Sequence, residues 1–300
     1  MPLNFINTNI NALKALKTLQ FNTQRTTQAA GQIASGFKVA RSSDDTSAYS
    51  ISQRMTNEIQ ASSRAIQNVQ DGTSMLDVTE GALSTVTDGL QRIRELAVQL
   101  SSDLNSSEQR GVLAQEIRSI VEDINRRSSE AQFNGVKLLD GTTTEARIQA
   151  GIGSDPASNT IDLTTAFANS SGTALKLYGT AYTSPARWSA MTLDDIYNNG
   201  VSQIDSSDKA LLFLQDTDNA IKQLNTQRAT VGAFSNQLQR AGDYLELHVN
   251  NLSGSKSRLV DTDVAKASAE YTQAQVLQNA ATAILSQANV QNKNVLQLLQ

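Results

Sequence analysis

Cysteine is absent from the 300 residues and histidine occurs once, at His248. Without cysteine there is no disulfide framework and no thiolate metal site, and one imidazole cannot supply the usual zinc sites or an HExxH helix. Proline occurs only at Pro2, Pro156 and Pro185, so 3–155 and 186–300 are free of the strongest helix breaker. That distribution predicts helical outer thirds around a different middle. Aromatic residues make up 5% of the chain, which leaves little large apolar volume for a globular core. No run of about 18 apolar residues occurs, so no membrane-spanning helix is expected. The first twenty residues lack a basic segment followed by an apolar one, the pattern of a secretory signal peptide. A net charge of −4 favours neither nucleic acid nor an anionic membrane as partner. Composition alone suggests a soluble cytoplasmic protein.

Motifs for catalysis or cofactors are equally scarce. Gly151-Ile152-Gly153 begins a GxG, but Pro156 stands where the third glycine belongs, and no phosphate-binding GxxxxGK occurs. Asp44-Asp45 and Asp261 with Asp263 read as helix caps or interhelical charge partners. His248, between Leu247 and Val249 in a helical pattern, reads as a packing or solvated side chain. No catalytic, metal-binding or cofactor-binding residue is assigned, no cofactor is expected, and the chain is not expected to be an enzyme.

What the chain does have is periodicity. Ala48, Ile51, Met55, Ile59, Ile66, Val69, Leu76, Leu83, Val86, Leu90, Ile93, Ala97 and Leu100 follow one another at steps of three, four or seven. Those steps set them along one stripe of a helix roughly 80 Å long, at about 1.5 Å per residue. Asp71-Gly72 could form a turn, yet the stripe keeps its phase from Val69 through Leu76 to Leu83, which predicts one continuous helix. A second helix, capped by Ser106 or Ser107, runs to about Glu130 with Val112, Ile117, Ile120, Val121 and Ile124 inward. Asn134-Gly135 and Asp140-Gly141 mark turns, and 147–151 and 159–163 alternate like two short strands. Residues 166–202, rich in Ser, Thr, Gly and Ala and holding Trp188, read as a short variable insertion. From Lys209 the helical pattern returns with Ile221, Leu224, Val231, Leu238, Leu245, Val249, Leu252 and Leu259; Ser253-Gly254-Ser255 is a hinge candidate. The expected fold is mainly α: a long antiparallel helical bundle or coiled coil formed by the N- and C-terminal halves, with a small β-hairpin region in the middle.

The two ends resemble each other. Ile6, Ile10, Leu13 and Leu16 form a short stripe near the start, and Leu277, Ile284, Ala288, Val295 and Leu299 form another near the end. Residues 1–43 carry Lys14, Lys17, Arg25, Lys38 and Arg41 and no acidic residue, whereas the other 257 carry 20 basic and 29 acidic residues. Such stripes need a partner, either each other or neighbouring copies. The expected organisation joins 1–43 with 256–300 as a terminal helix pair and 44–165 with 203–255 as a long-helix bundle.

An ordered set of motifs then carries a family resemblance. Residues 6–13 (Ile-Asn-Thr-Asn-Ile-Asn-Ala-Leu) resemble the opening of bacterial flagellins. Residues 33–39 (Ile-Ala-Ser-Gly-Phe-Lys-Val) with Asp44-Asp45 are similar to the junction that follows. Residues 91–99 (Gln-Arg-Ile-Arg-Glu-Leu-Ala-Val-Gln), 133–139 (Phe-Asn-Gly-Val-Lys-Leu-Leu), and Ile148-Gln149 with Ile161-Asp162-Leu163 match further signatures. So do 228–233, 250–253, 257–259 with Asp261 and Asp263, and 294–299. The chain departs from the family where Ser42-Ser43-Asp44-Asp45-Thr46 replaces AKDDA, and where Gln291-Asn292-Lys293 stands in place of a proline.

The resemblance implies a short-form flagellin, a structural subunit that polymerises into the flagellar filament used for swimming. A hook–filament junction protein of the same family, or a cytoplasmic coiled-coil signalling module, are the alternatives. It implies export through the growing flagellum to an extracellular filament, without a cleaved signal. Implied partners are other copies of the chain, sister flagellins, the filament cap, hook-junction proteins and an export chaperone. It assigns filament-core packing to Ile6, Ile10, Leu13, Leu16, Leu277, Ile284, Val295 and Leu299. Gln91, Arg92, Leu96 and Glu116 match positions that contact a host innate receptor in some flagellins, or else pack subunits together.

Overall fold

A computed structural model of the chain describes residues 9–143, 145–167 and 207–297, leaving aside the side chains of 208 and 291–297. Its order is α1 (Ile10–Ser35), α2 (Thr46–Leu100), α3 (Ser107–Glu130), β1 (Gln132–Phe133), β2 (Val136–Lys137), β3 (Arg147–Gln149), the single turn α4 (Pro156–Asn159), β4 (Thr160–Asp162), a 3-10 turn at Thr164–Phe167, α5 (Ser207–Val260) and α6 (Val264–Gln297). The expected fold class is the observed one. The chain forms two compact units, Met1–Gln60 with Val249–Gln300, and Ala61–His248.

In the first unit α1 packs on α6. The pairing is antiparallel: Asn9 donates its side-chain amide to the Ala288 carbonyl at 2.9 Å, and Gln278 donates to the Thr23 hydroxyl at 3.2 Å. The buried residues recur every seven positions, Ala15, Asn22 and Ala29 on α1 and Ala267, Ala274, Ala281 and Ala288 on α6. A seven-residue period keeps one seam against the partner over many turns, and alanine allows the two backbones to approach at the short end of interhelical distances. The two helices are fastened beyond the seam. Gly36 ends α1 in the left-handed conformation (φ 73°), where lack of a Cβ removes the strain. Phe37 then forms a β-bridge with Asp261, Lys38 N–H donates to the Val260 carbonyl, and Thr262 N–H to that of Gly36. Asp44 accepts from the N–H groups of Ala40 and Arg41, while Asp45 caps α2 by accepting from Ala48 N–H at 2.9 Å.

The second unit is built from 61–100 of α2, from α3, and from 207–248 of α5. Val69, Leu76, Leu83, Leu90 and Ala97 oppose Ala210, Leu224, Val231, Leu238 and Leu245 in one core, with Ala114, Ile117, Val121 and Ile124 from α3. Threonines within these stripes satisfy their hydroxyls locally: Thr79, Thr87 and Thr217 donate to the carbonyls four residues earlier. Ser106 caps α3 in a full capping box with Gln109. Asn134 and Gly135 (φ 50° and 81°) make the two-residue turn between β1 and β2. β3 pairs antiparallel with β4 through Arg147–Asp162, Ile148–Ile161 and Gln149–Thr160. Leu138, Leu139, Leu163 and Phe167 carry these hairpins onto the helical core.

Asp71-Gly72 lies inside α2, as the unbroken phase of the stripe predicts; a Cβ on Gly72 would come to 3.0 Å from Ile148 Cγ1, so the glycine admits the β3–β4 hairpin. Other expectations are corrected. Val112 is 71% exposed, and Leu113 and Ala114 take the inward positions. Ser253-Gly254-Ser255 is continuous helix within α5. Ala166 and Phe167, placed in the insertion by sequence, are core residues, while 168–202 and Trp188 lie outside the described residues.

Candidate assembly surfaces

Two sets of residues were singled out by sequence, and the structure places them differently. On the second unit, Gln91, Arg92 and Glu116 are at the surface. Arg92 on α2 reaches α3 by donating from Nη2 (2.7 Å) and Nε (3.1 Å) to Glu116, and donates to Glu95 one turn along its own helix at 3.0 Å. Hydrogen bonds to Glu116 first and Glu95 second raise the guanidinium pKa above its ordinary value. Leu96 is not part of this surface. It is 2% exposed and packed in the helical core, because its position falls between Ile93 and Leu100 on the inward stripe. Other ion pairs tie α2 to α5: Glu80 with Arg228, and Arg94 with Asp218 at 2.6 Å.

On the first unit the structure separates two roles that the sequence had merged. The helix seam consumes small side chains, whereas Ile10, Leu13, Leu16, Phe21, Leu277 and Ile284 remain between 40 and 60% exposed. Of the three residues of the last helix's expected stripe whose side chains are described, Ala288 is buried and Leu277 and Ile284 are exposed. Ile6 and Leu299 lie outside the described residues, as does the side chain of Val295. The buried Asn22 and the alanine repeat escaped the sequence reading. Their signal was the seven-residue spacing of Ala267, Ala274, Ala281 and Ala288, hidden by the low hydrophobicity of alanine.

The structure also places the other polar groups that the sequence singles out. Among the described residues no three His, Asp or Glu side chains could share a metal ion. His248 Nδ1 lies 3.4 Å from the hydroxyl of the buried Ser62, and Tyr244 stacks on the imidazole ring. Gly151 and Gly153 press against Asn159, whose Oδ1 accepts from Gly153 N–H at 3.0 Å; the loop is filled by its own side chain. Among the described residues no helix is long and apolar enough to cross a membrane.

The chain is similar to known proteins along nearly its whole length. The bacterial flagellin N-terminal helical region matches residues 6–144, and the bacterial flagellin C-terminal helical region matches residues 214–299. Flagellin FlaB2 of Treponema pallidum is 34% identical over 98% of this chain and 99% of its own length. A flagellar filament 33 kDa core protein of Treponema phagedenis is 32% identical over the same shares, and the flagellin of Bacillus subtilis is 33% identical, again over 98% and 99%. Among solved structures, a putative flagellar hook-associated protein from Vibrio parahaemolyticus shares the fold, with a TM-score of 0.55 at 14% identity over 72% of this chain and all of that one. With both terminal regions matched and relatives aligned along nearly its whole length, the chain belongs to the bacterial flagellin family.

Proposed function

We propose that the chain is a structural subunit that polymerises with copies of itself into a flagellar filament for swimming, and that it catalyses no reaction. The observation that carries this is the division of labour on the terminal helices. Alanines bury the seam, and the large apolar residues Ile10, Leu13, Leu16, Leu277 and Ile284 are left outward. Each such side chain is about half covered already, so completing its burial gains roughly half of the about 1.5–3 kcal/mol of full burial, and neighbouring subunits would supply the cover. Ile6, Val295 and Leu299 continue the same pattern in sequence.

The test is polymerisation of the purified protein, followed by electron microscopy and limited proteolysis. Long filaments that protect 1–43 and 256–300 support the reading; a protein that stays monomeric, or whose ends are cut equally in both states, refutes it. A hook–filament junction protein would not grow long filaments by itself.

Export through the flagellum to the cell exterior accords with this role, with sister flagellins, the filament cap, hook-junction proteins and an export chaperone as partners on the way. The exposed Gln91, Arg92 and Glu116 surface serves either subunit packing or contact with a host innate receptor. Arg92→Asp distinguishes them: lost signalling in reporter cells with normal filaments indicates the receptor, and lost filaments with normal signalling indicate packing.

A further inference from the structure

In the second unit the described chain stops at Phe167 and resumes at Ser207, the first residue of α5. Gln227 of the same helix donates to the Ala166 carbonyl at 3.4 Å. Both ends of the connection 168–206 are therefore tied to α5. The span from Gln227 back to Ser207 is roughly 30 Å at about 1.5 Å per residue, which about nine extended residues cross. The connection has length to spare.

One stripe of α5 runs between those ends. Leu212, Asp216, Ala220, Gln223 and Gln227 follow one another at steps of three or four, which sets them in one line. The line is covered where Gln227 is buried and holds Ala166, and uncovered where Leu212 is 50% exposed. Asp216 between them is half-buried, and among the described residues no hydrogen bond or ion pair engages its carboxylate. Burial pushes that carboxyl above its ordinary 3.8, because loss of water disfavours the charged form. An exposed leucine and a half-desolvated carboxylate on one face call for an apolar chain that carries a cation.

The connection carries such a stretch. Leu175-Lys176-Leu177-Tyr178 sets one ammonium among three large apolar side chains, and Arg187 is the other cation of 168–206. Lys176 is ten residues beyond Ala166, a reach of up to about 36 Å. Asp216 is roughly 16 Å along α5 from Gln227, well within it. We infer that the stretch 175–178 docks on the Leu212–Asp216 stripe of α5 in the same chain, with Lys176 paired to Asp216 and its leucine neighbours covering Leu212. The contact is internal to one chain and stands apart from the filament-subunit reading.

The test uses the full-length monomer. Carbodiimide coupling joins an ammonium to a carboxylate in contact, forming an amide with loss of water. Peptide mass spectrometry is expected to find Lys176 joined chiefly to Asp216. In thermal melts Asp216→Lys should lower the midpoint by placing two cations together, and adding Lys176→Glu should restore it. Lys176→Glu alone should lower the midpoint by setting two carboxylates side by side. Lys176 coupled to other carboxylates or to none, or a double variant that melts no higher than Asp216→Lys, would overturn the contact. Each of these results leaves polymerisation of the chain as a separate question.

Discussion

Substituting leucine for Ala274 sets hydrophobicity against fit. Ala274 is buried in the α6 seam, one turn from the Gln278–Thr23 hydrogen bond. Alanine and leucine differ by only a few tenths of a kcal/mol in helix propensity, so the exchange reports on packing. Three added carbons would gain roughly 2 kcal/mol on leaving water, at about 0.8 kcal/mol each, if a space received them. The alanine seam holds the helices too close for that, and overpacking a fitted contact costs about 1–3 kcal/mol. The neighbouring rungs at Ala267 and Ala281 then loosen as the helices are pushed apart. A net loss of about 1–3 kcal/mol corresponds to a rise of about 5- to 150-fold in critical concentration, at about 1.4 kcal/mol per tenfold. Light scattering against total protein concentration measures it. Leu277→Ala, which trims an exposed residue of the same helix, should weaken the polymer and leave the monomer's helicity unchanged. If Ala274→Leu assembles at or below the wild-type concentration, the tight alanine seam is wrong.

Other outcomes follow from single contacts. A double-mutant cycle on Glu80→Ala and Arg228→Ala in thermal melts should give a coupling below about 1 kcal/mol, because the two side chains are 40% and 34% exposed; a coupling of several kcal/mol would contradict their solvation. Gly72→Val should lower the melting temperature despite removing a helix-interior glycine, since its Cβ meets Ile148 at 3.0 Å; a rise would show that the hairpin shifts freely. The Asp123 carboxylate is held below its ordinary value of 3.8 by hydrogen bonds from Arg127 and then Arg126. A lowered folded-state pKa contributes stability that is present above pH 3.8 and is lost as pH falls below it. Asp123→Asn should therefore reduce the acid sensitivity of melting below about pH 4, and an unchanged profile would reject the contribution.

Much of the architecture is legible in the sequence because the long helices are strongly periodic. The phase of Val69, Leu76 and Leu83 predicted an unbroken α2 through Asp71-Gly72, against local turn propensity, and helix continuity prevailed since the hairpin needs a bare backbone there. Alternation at 147–151 and 159–163 was enough to find β3 and β4. The misses share a cause: hydrophobicity ranks side chains, whereas a seam selects them by size. Val112 is more apolar than Ala114 but stands outside, and Ile284 is more apolar than Ala281 but is left exposed. Motif resemblance placed Leu96 with Arg92 on one surface although neighbours four apart along this helix straddle the core boundary.

The bridge between Phe37 and Asp261 also constrains the order in which the chain can fold. Drawing those residues together across an open chain of about 220 residues costs about 5 kcal/mol of loop-closure entropy. Asn9 and Ala288 are 279 residues apart. Once α2 and α5 have zipped, the open loop shrinks to two short tails, and the same bridge closes at little entropic cost. Pairing of α1 with α6 therefore belongs to the last stage of folding. A chain emerging end-first from any channel keeps its first helix without a mate until nearly the whole sequence is out.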